Sequence, residues 1–180
     1  MTASRLSGGI VIRPARSADA PALGKLGALL VRIHHEFDPD RFFGTTPRTE
    51  ASYAGYLASQ LERDDVLVLA AETRGVVVGY TYSGIEGPDY MALRGPAGVI
   101  YDLVVDPARR REGIGRMLME ATLAELETRG APRIVLSTAA RNGTAQRLFA
   151  ACGFRQTMIE MTWEVDRGTG DAKPDPSENK

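Results

Sequence analysis

The residues best placed to do chemistry lie in one stretch, Val104-Val105-Asp106-Pro107-Ala108-Arg109-Arg110-Arg111-Glu112-Gly113-Ile114-Gly115-Arg116-Met117-Leu118. An apolar run ends there, a basic turn follows, and Gly113 and Gly115 open a helical pattern. That arrangement suits an anion. The first N–H groups of a helix have no internal acceptor, and the helix dipole favours negative charge beside them. Glycine lets a phosphate approach the backbone. Arg109, Arg110, Arg111 and Arg116 surround the point with positive charge. The same residues also fit a plain turn with solvated arginines, and the stretch alone leaves both readings open. Two better-known phosphate loops are excluded. A Walker loop needs Gly-Lys followed by Ser or Thr, and Gly115 is followed by Arg116. The dinucleotide fingerprint needs a third glycine at set spacing and an early βαβ unit, and the turn has neither.

The elements that position this turn can be read from periodicity. Gly9 to Pro14 is a first strand stopped by proline. Ser17 and Asp19 offer caps ahead of Pro21. Leu23, Leu26, Leu30 and Ile33 then mark a helix that ends near His34–Phe37, before Asp38-Pro39-Asp40. A second helix is expected over about 48–63, with Tyr53, Tyr56, Leu57 and Leu61 on one face. Val66–Ala71 and Val76–Tyr82 form a hairpin about Glu72–Gly75. Val99–Val105 is the next strand, and a helix from Ile114 to Arg129-Gly130 follows. Ile134–Ser137 is a strand, Thr144–Ala151 a short helix, and Thr157–Val165 alternates as a final strand. The order is β-α-α-β-β-β-α-β-α-β, a mixed α/β sheet. Residues 1–9 read as a flexible lead, 10–165 as a single domain, and 166–180 as a disordered tail without large apolar side chains.

Composition narrows the function classes. The 180 residues suit one domain, and 43% hydrophobic residues supply a core. Lys plus Arg number 22 against 23 Asp plus Glu, so general nucleic-acid binding is disfavoured. No apolar run reaches membrane-spanning length, and the first residues lack a secretory apolar region. A single cysteine, Cys152, allows no internal disulfide and fits a reducing, cytoplasmic setting. With one cysteine and two adjacent histidines, His34 and His35, no metal site is expected.

At Arg110-Arg111-Glu112-Gly113-Ile114-Gly115 the chain resembles the Gcn5-related N-acetyltransferases, whose pyrophosphate motif is Arg or Gln, two residues, Gly, one residue, Gly or Ala. The lead-in Leu103-Val104-Val105-Asp106-Pro107 is similar to theirs. So is the later segment Asn142-Gly143-Thr144-Ala145-Gln146-Arg147-Leu148-Phe149 with Cys152-Gly153-Phe154. The resemblance covers most of residues 10–165. It implies an acyl-CoA N-acyltransferase fold with a splayed central sheet, and transfer of acetyl from acetyl-CoA to a primary amine by direct attack in a ternary complex. The acceptor is a small-molecule amine or a peptide amine, with no nucleic acid, membrane or metal involved. A homodimer is compatible with the family, its last strand free to pair. The implied cofactor-binding residues are Leu103, Val104, Val105, Arg110, Arg111, Glu112, Gly113, Ile114, Gly115, Arg116, Asn142 and Phe149. The pantetheine arm would bond to backbone at Leu103 and Val105, and the pyrophosphate would sit on the turn from Arg110 to Arg116.

The amine must be neutral to attack, and a free amine with a pKa of about 10 is mostly protonated at neutral pH, so the reaction needs a base, direct or through water, to take that proton. Asp102 is the candidate, as the only carboxylate in Val99–Val105, and the family often carries an acid at the matching position. Strand alternation sends Tyr101 to the face opposite Asp102, so only one of them is expected to line a given pocket. Many members have a tyrosine, which protonates the leaving thiolate, where this chain has Phe149. Cys152, Tyr101 and Ser137 are stand-ins, although Cys152 reads as a core residue. The family's acceptor pocket is shaped by the first two helices and their loop. His34, His35 and Phe37, with Tyr101, are therefore the substrate-binding candidates, and Glu36, Asp38, Phe42 and Phe43 lie beside them. Tyr80, Tyr82 and Tyr90 divide between core and pocket wall, and Trp163 is expected to pack. The rival reading is a non-catalytic acyl-CoA-binding or regulatory module, kept open by Phe149.

Overall fold

A computed structural model of the protein describes residues 5–6 and 9–165. Strands β1 (Arg5–Leu6) and β2 (Ile10–Pro14) lead to helices α1 (Ala20–Phe37) and α2 (Thr49–Gln60). Strands β3 (Val66–Thr73), β4 (Val76–Glu86) and β5 (Ala97–Val105) follow, then α3 (Ile114–Thr128), β6 (Ile134–Leu136) and α4 (Gly143–Ala151). The strands lie in sequence order in one sheet. Every neighbouring pair is antiparallel except β5 and β6, which the α3 crossover makes parallel. Between β3 and β4, Arg74 and Gly75 both take positive φ, 50° and 80°, as a two-residue hairpin turn of the right twist requires. The remainder of 1–8, and 166–180, which the sequence reading assigns to a flexible lead and tail, lie outside the described residues.

Two helices cover each face of the sheet. On one face Leu23 and Leu26 of α1 and Leu57 of α2 pack on Val68, Tyr80, Tyr82 and Val104. On the other, Ile114 and Leu118 of α3 pack on Leu67, Leu69 and Val78. Further along that face Met119 and Leu126 meet Ile100 and Phe149 of α4. Helices α1 and α2 approach closely because α1 carries Gly24 and Gly27 at the contact. A Cβ on Gly24 would lie 2.4 Å from the Glu50 carbonyl oxygen, and one on Gly27 would lie 2.1 Å from Cδ1 of Tyr53.

Two expectations need correction. Residues 157–165 form no strand. Their side chains are exposed, and Trp163, expected to pack, is 83% exposed. Alternation says that a strand would have one apolar face, but it does not say where the neighbouring strand is. The second correction concerns β5. Tyr82 pairs with Asp102 but Ser83 pairs with Ile100, so Tyr101 is an extra residue, a β-bulge. The bulge breaks alternation. Ile100 belongs to the α3 face, whereas Tyr101 and Asp102 line one cavity on the α2 side.

Candidate active site

The turn after β5 is shaped to leave backbone donors outward. Asp106 caps a short 3₁₀ turn, Pro107–Arg109, by accepting from the Ala108 N–H. Arg111 and Gly113 both take positive φ, 68° and 78°, and α3 begins one residue later. The first bond inside α3 runs from the Met117 N–H to the Gly113 carbonyl, so the preceding N–H groups lie at an open helix start. Gly115 packs tightly, since a Cβ there would sit 3.3 Å from Leu148. Not all of the arginines are available. Arg109 makes two 2.7 Å bonds to Glu112, and Arg116 pairs with Glu120 at 2.8 Å. Arg110 and Arg111 form no ion pair among the described residues and carry the uncommitted charge of the turn.

Strand β6 pairs with β5 only from Gly98 to Ile100. From Tyr101 to Val105 the β6-facing edge of β5 is open. The Asp106 N–H bonds to Val78 on β4, which fixes the phase of the antiparallel ladder. By alternation Val104 and Asp102 face β4, and the N–H and C=O of Leu103 and Val105 point into the gap. Asn142, at the start of α4, accepts from the Ala145 N–H through Oδ1 at 3.1 Å, which orients its amide NH2 away from the helix. Phe149 is 9% exposed and packs against Phe154, so it serves the core of α4 and offers little surface to a ligand.

Asp102 is 8% exposed, beneath the junction of α2, β4 and β5. Its Oδ2 accepts from the hydroxyl of Tyr80 at 2.8 Å and from that of Tyr53 at 3.1 Å. Among the described residues Oδ1 has no bond and no buried side-chain polar atom lacks a partner, so Oδ1 opens to the adjoining cavity. Burial raises the Asp102 pKa above the ordinary carboxylate value. The Tyr80 and Tyr53 hydrogen bonds and the nearby His34 partly oppose that rise. The cavity, about 490 Å³, is walled by Tyr53, Tyr56, Tyr82 and Tyr101, with Arg63, Asp65 and Glu86 at its edges. Tyr82 and Tyr101 lie with ring centroids 4.6 Å apart. The Tyr101 hydroxyl donates to Glu86 at 2.6 Å.

The tyrosines that hold Asp102 escaped the sequence reading. Tyr80 lies two residues from Tyr82 on β4, so a shared face was legible. The long-range meeting of Tyr53 with Asp102 was not, because it depends on Gly27 admitting the ring. Of the acceptor candidates, only Tyr101 lines the cavity. Nδ1 of His35 donates to the Phe42 carbonyl at 2.7 Å, and Nδ1 of His34 donates to the Leu30 carbonyl at 2.9 Å. Phe37 packs edge-on against His34 and accepts from Arg141 through its carbonyl. His35, through its bond to Phe42, and His34, whose ring lies edge-on to Phe42, fasten the end of α1 to its loop, while Phe37 ties it to Arg141 before α4. Cys152 packs partly buried behind α4, where burial raises its thiol pKa. Tyr90 is exposed.

The mixed sheet, its open β5–β6 edge and the glycine-opened α3 turn define the acyl-CoA N-acyltransferase class of fold. Residues 30–154 match the family model described as Acetyltransferase (GNAT) family, and the chain belongs to that family. A mycothiol acetyltransferase of Thermobispora bispora is 34% identical over 97 residues, covering 52% of this chain and 31% of that protein. The [ribosomal protein bS18]-alanine N-acetyltransferase of Salmonella typhimurium is 38% identical over 64 residues, 36% of this chain and 43% of that one. The chain thus spans less than half the length of these curated relatives. Among solved structures, a mutant of the BH1408 protein of Bacillus halodurans superimposes with a TM-score of 0.74 at 21% identity, covering 86% of this chain and 98% of that one. The aminoglycoside acetyltransferase AAC(6')-Iy, solved with a bisubstrate analogue, gives 0.63 at 17%, over 88% and 99%. These two likenesses support the fold.

Proposed function

We propose that the protein is an N-acetyltransferase that moves acetyl from acetyl-CoA to a primary amine by direct attack in a ternary complex. The observation that carries this reading is one strand with two jobs. Strand β5 leaves the backbone of Leu103 and Val105 open toward the β6 gap, and its bulge turns Tyr101 and Asp102 into the tyrosine-walled cavity on the α2 side. A donor lying along the gap and an acceptor in the cavity would meet at the bulge.

The residues present fit acetyl-CoA. The open edge at Leu103 and Val105 offers the peptide-like bonds a pantetheine arm needs. The N-terminus of α3 with Arg110 and Arg111 offers donors and charge for a pyrophosphate. When bound, acetyl-CoA supplies the acyl group already activated as a thioester. Asp102 Oδ1 accepts the proton of the incoming ammonium, which leaves the amine nitrogen free to attack. Tyr53 and Tyr80 hold the carboxylate so that only Oδ1 faces the acceptor. The raised Asp102 pKa makes it a better proton acceptor than an ordinary carboxylate. Phe149 supplies no proton to the departing thiolate, whose conjugate acid has a pKa of about 8.5 and which can leave as the anion. The tyrosine walls suit an ammonium through cation–π contact. The reading sets the protein in the cytoplasm. No helix among the described residues is long and apolar enough to cross a membrane.

Calorimetric titration with acetyl-CoA, with adenosine diphosphate as control, tests the donor. Binding that requires the pantetheine arm is the expected result. Gly113→Val, which places a branched side chain at φ 78°, should abolish binding while the circular dichroism stays folded. An amine screen read by thiol release tests turnover. Binding without turnover of any amine would favour the non-catalytic module instead.

A further inference from the structure

Little of the polar chemistry in the cavity beside Asp102 is free. Both oxygens of Asp65 accept from Arg63, at 3.0 and 2.6 Å. Glu86 accepts from Tyr101 through Oε1 and from Arg94 through Oε2. The tyrosine hydroxyls are committed too. Tyr53 and Tyr80 donate to Asp102, while Tyr56 and Tyr82 share a hydrogen bond of 2.9 Å, with Gln60 Oε1 3.4 Å from the Tyr82 hydroxyl. Among the described residues that line the cavity, Asp102 is therefore the one carboxylate without a cationic partner in bonding contact, and its Oδ1 is the one carboxylate oxygen without a hydrogen bond. What else stays open is aromatic surface. Tyr56 and Tyr101 are 51% and 41% exposed although both hydroxyls are bonded. Tyr82 lies between them, edge-on to Tyr56 with centroids 5.9 Å apart and tilted by 34° from Tyr101.

We infer that the acceptor is a primary monoamine carried on a flat aromatic body, an arylalkylamine in chemical class. The inference rests on the proposed acetyl transfer and on the acceptor lying in this cavity. The ammonium meets Asp102 Oδ1, and the ring packs on the open surfaces of Tyr56 and Tyr101, where aromatic pairs gain beyond the area they bury. A volume of about 490 Å³ is ample for such a molecule. The same pairing argues against two other acceptors. A polyamine brings a second ammonium, and Arg63 and Arg94 already neutralise the carboxylates that would receive it. A peptide brings amide N–H and C=O groups that lose water and meet tyrosine hydroxyls already bonded elsewhere. Transfer to the arylalkylammonium forms the amide N–C bond, breaks the thioester C–S bond, and releases the free thiol and one proton.

The test is calorimetric titration of amines into the full chain, free and saturated with CoA, so that affinity is read without turnover. Phenethylamine and cyclohexylethylamine share a skeleton and differ in the π face. Hexamethylenediamine and hexylamine share a chain and differ in the second ammonium. Phenethylamine should bind about 10-fold more tightly than cyclohexylethylamine. The diamine should bind no more tightly than hexylamine. Tyr56→Leu should bring the first pair level. Arg63→Gln frees Asp65 from its partner and should make the diamine bind about 2- to 5-fold more tightly than hexylamine. Both positions are exposed, and circular dichroism checks that each variant is folded. Four results would overturn the inference: no amine bound, equal affinity within the first pair, a diamine preferred by the original chain, or a dipeptide amide preferred over phenethylamine. Thiol release from acetyl-CoA on the same samples separates the two readings. Phenethylamine bound selectively but never acetylated would sink the enzyme assignment and leave the occupant of the cavity standing. Acetylation of the diamine or the dipeptide in preference would do the reverse.

Discussion

Asp102 Oδ2 is engaged by two tyrosine hydroxyls while Oδ1 faces the cavity, so the carboxylate is oriented before any acceptor arrives. If Oδ1 takes the amine proton, Asp102→Asn should lower kcat by about 10²- to 10³-fold with little change in acetyl-CoA affinity. Tyr53 is the more discriminating position. Its hydrogen bond lowers the Asp102 pKa against the upward push of burial. Tyr53→Phe removes that bond and leaves the burial, so the Asp102 pKa should rise. Activity requires the ionised carboxylate, so the acid limb of kcat/KM should move to higher pH. A profile unmoved by Tyr53→Phe would show that Asp102 does not set the limb. Asp102 itself was legible in the sequence as a lone acid in an apolar strand. Its tyrosines, and its sharing of a cavity with Tyr101, were not, because a bulge is a property of the pairing of two strands and alternation is computed on one.

Helix α1 shows how an element serves the site from a distance. Gly27 is the only residue type that lets Tyr53 lie against α1, since a Cβ would fall 2.1 Å from Cδ1 and 2.5 Å from Cγ of its ring. Gly27→Ala should destabilise the fold by about 1–3 kcal/mol through overpacking. It should also shift the acid limb as Tyr53→Phe does, because the hydroxyl loses its reach. Gly55, in the interior of α2, is the control. Nothing lies within 4 Å of a Cβ built there, so Gly55→Ala should stabilise by about 0.5–1 kcal/mol. Thermal melts of the two variants check the opposite signs. The elements from Ile10 to Ala151 were legible because each carries its own period and punctuation: Pro14, Asp38-Pro39, Arg74-Gly75 and Gly130. What failed was 157–165, where the period was real but its partner strand was not part of the pattern.

At the scale of the molecule, two buried carboxylates respond to pH with opposite sign. Arg13 of β2 clamps Asp19 with bonds of 2.7 and 2.9 Å and reaches Glu72 of β3 at 2.7 Å, which ties the start of α1 to the sheet. The Arg13 hydrogen bonds hold the Asp19 carboxyl below its ordinary pKa. The unfolded chain therefore binds this proton more readily, and the stability Asp19 contributes is present above the ordinary carboxylate pKa and is lost as pH falls through the depressed one. Arg13→Met should remove about 2–4 kcal/mol at neutral pH and flatten the acid-side loss, since it leaves Asp19 and Glu72 without their partner. Asp102 runs the other way. Burial raises its pKa, so the folded chain holds the proton more tightly, and stability falls as pH rises from the ordinary carboxylate range through the raised value. Asp102→Asn carries no such charge. Its melting temperature relative to the original chain should climb from acid to neutral pH, even as turnover is lost. A difference that stays flat across that range would mean that the Tyr53 and Tyr80 hydrogen bonds fully compensate the burial, and that the carboxylate enters the reaction with no more basicity than one in water.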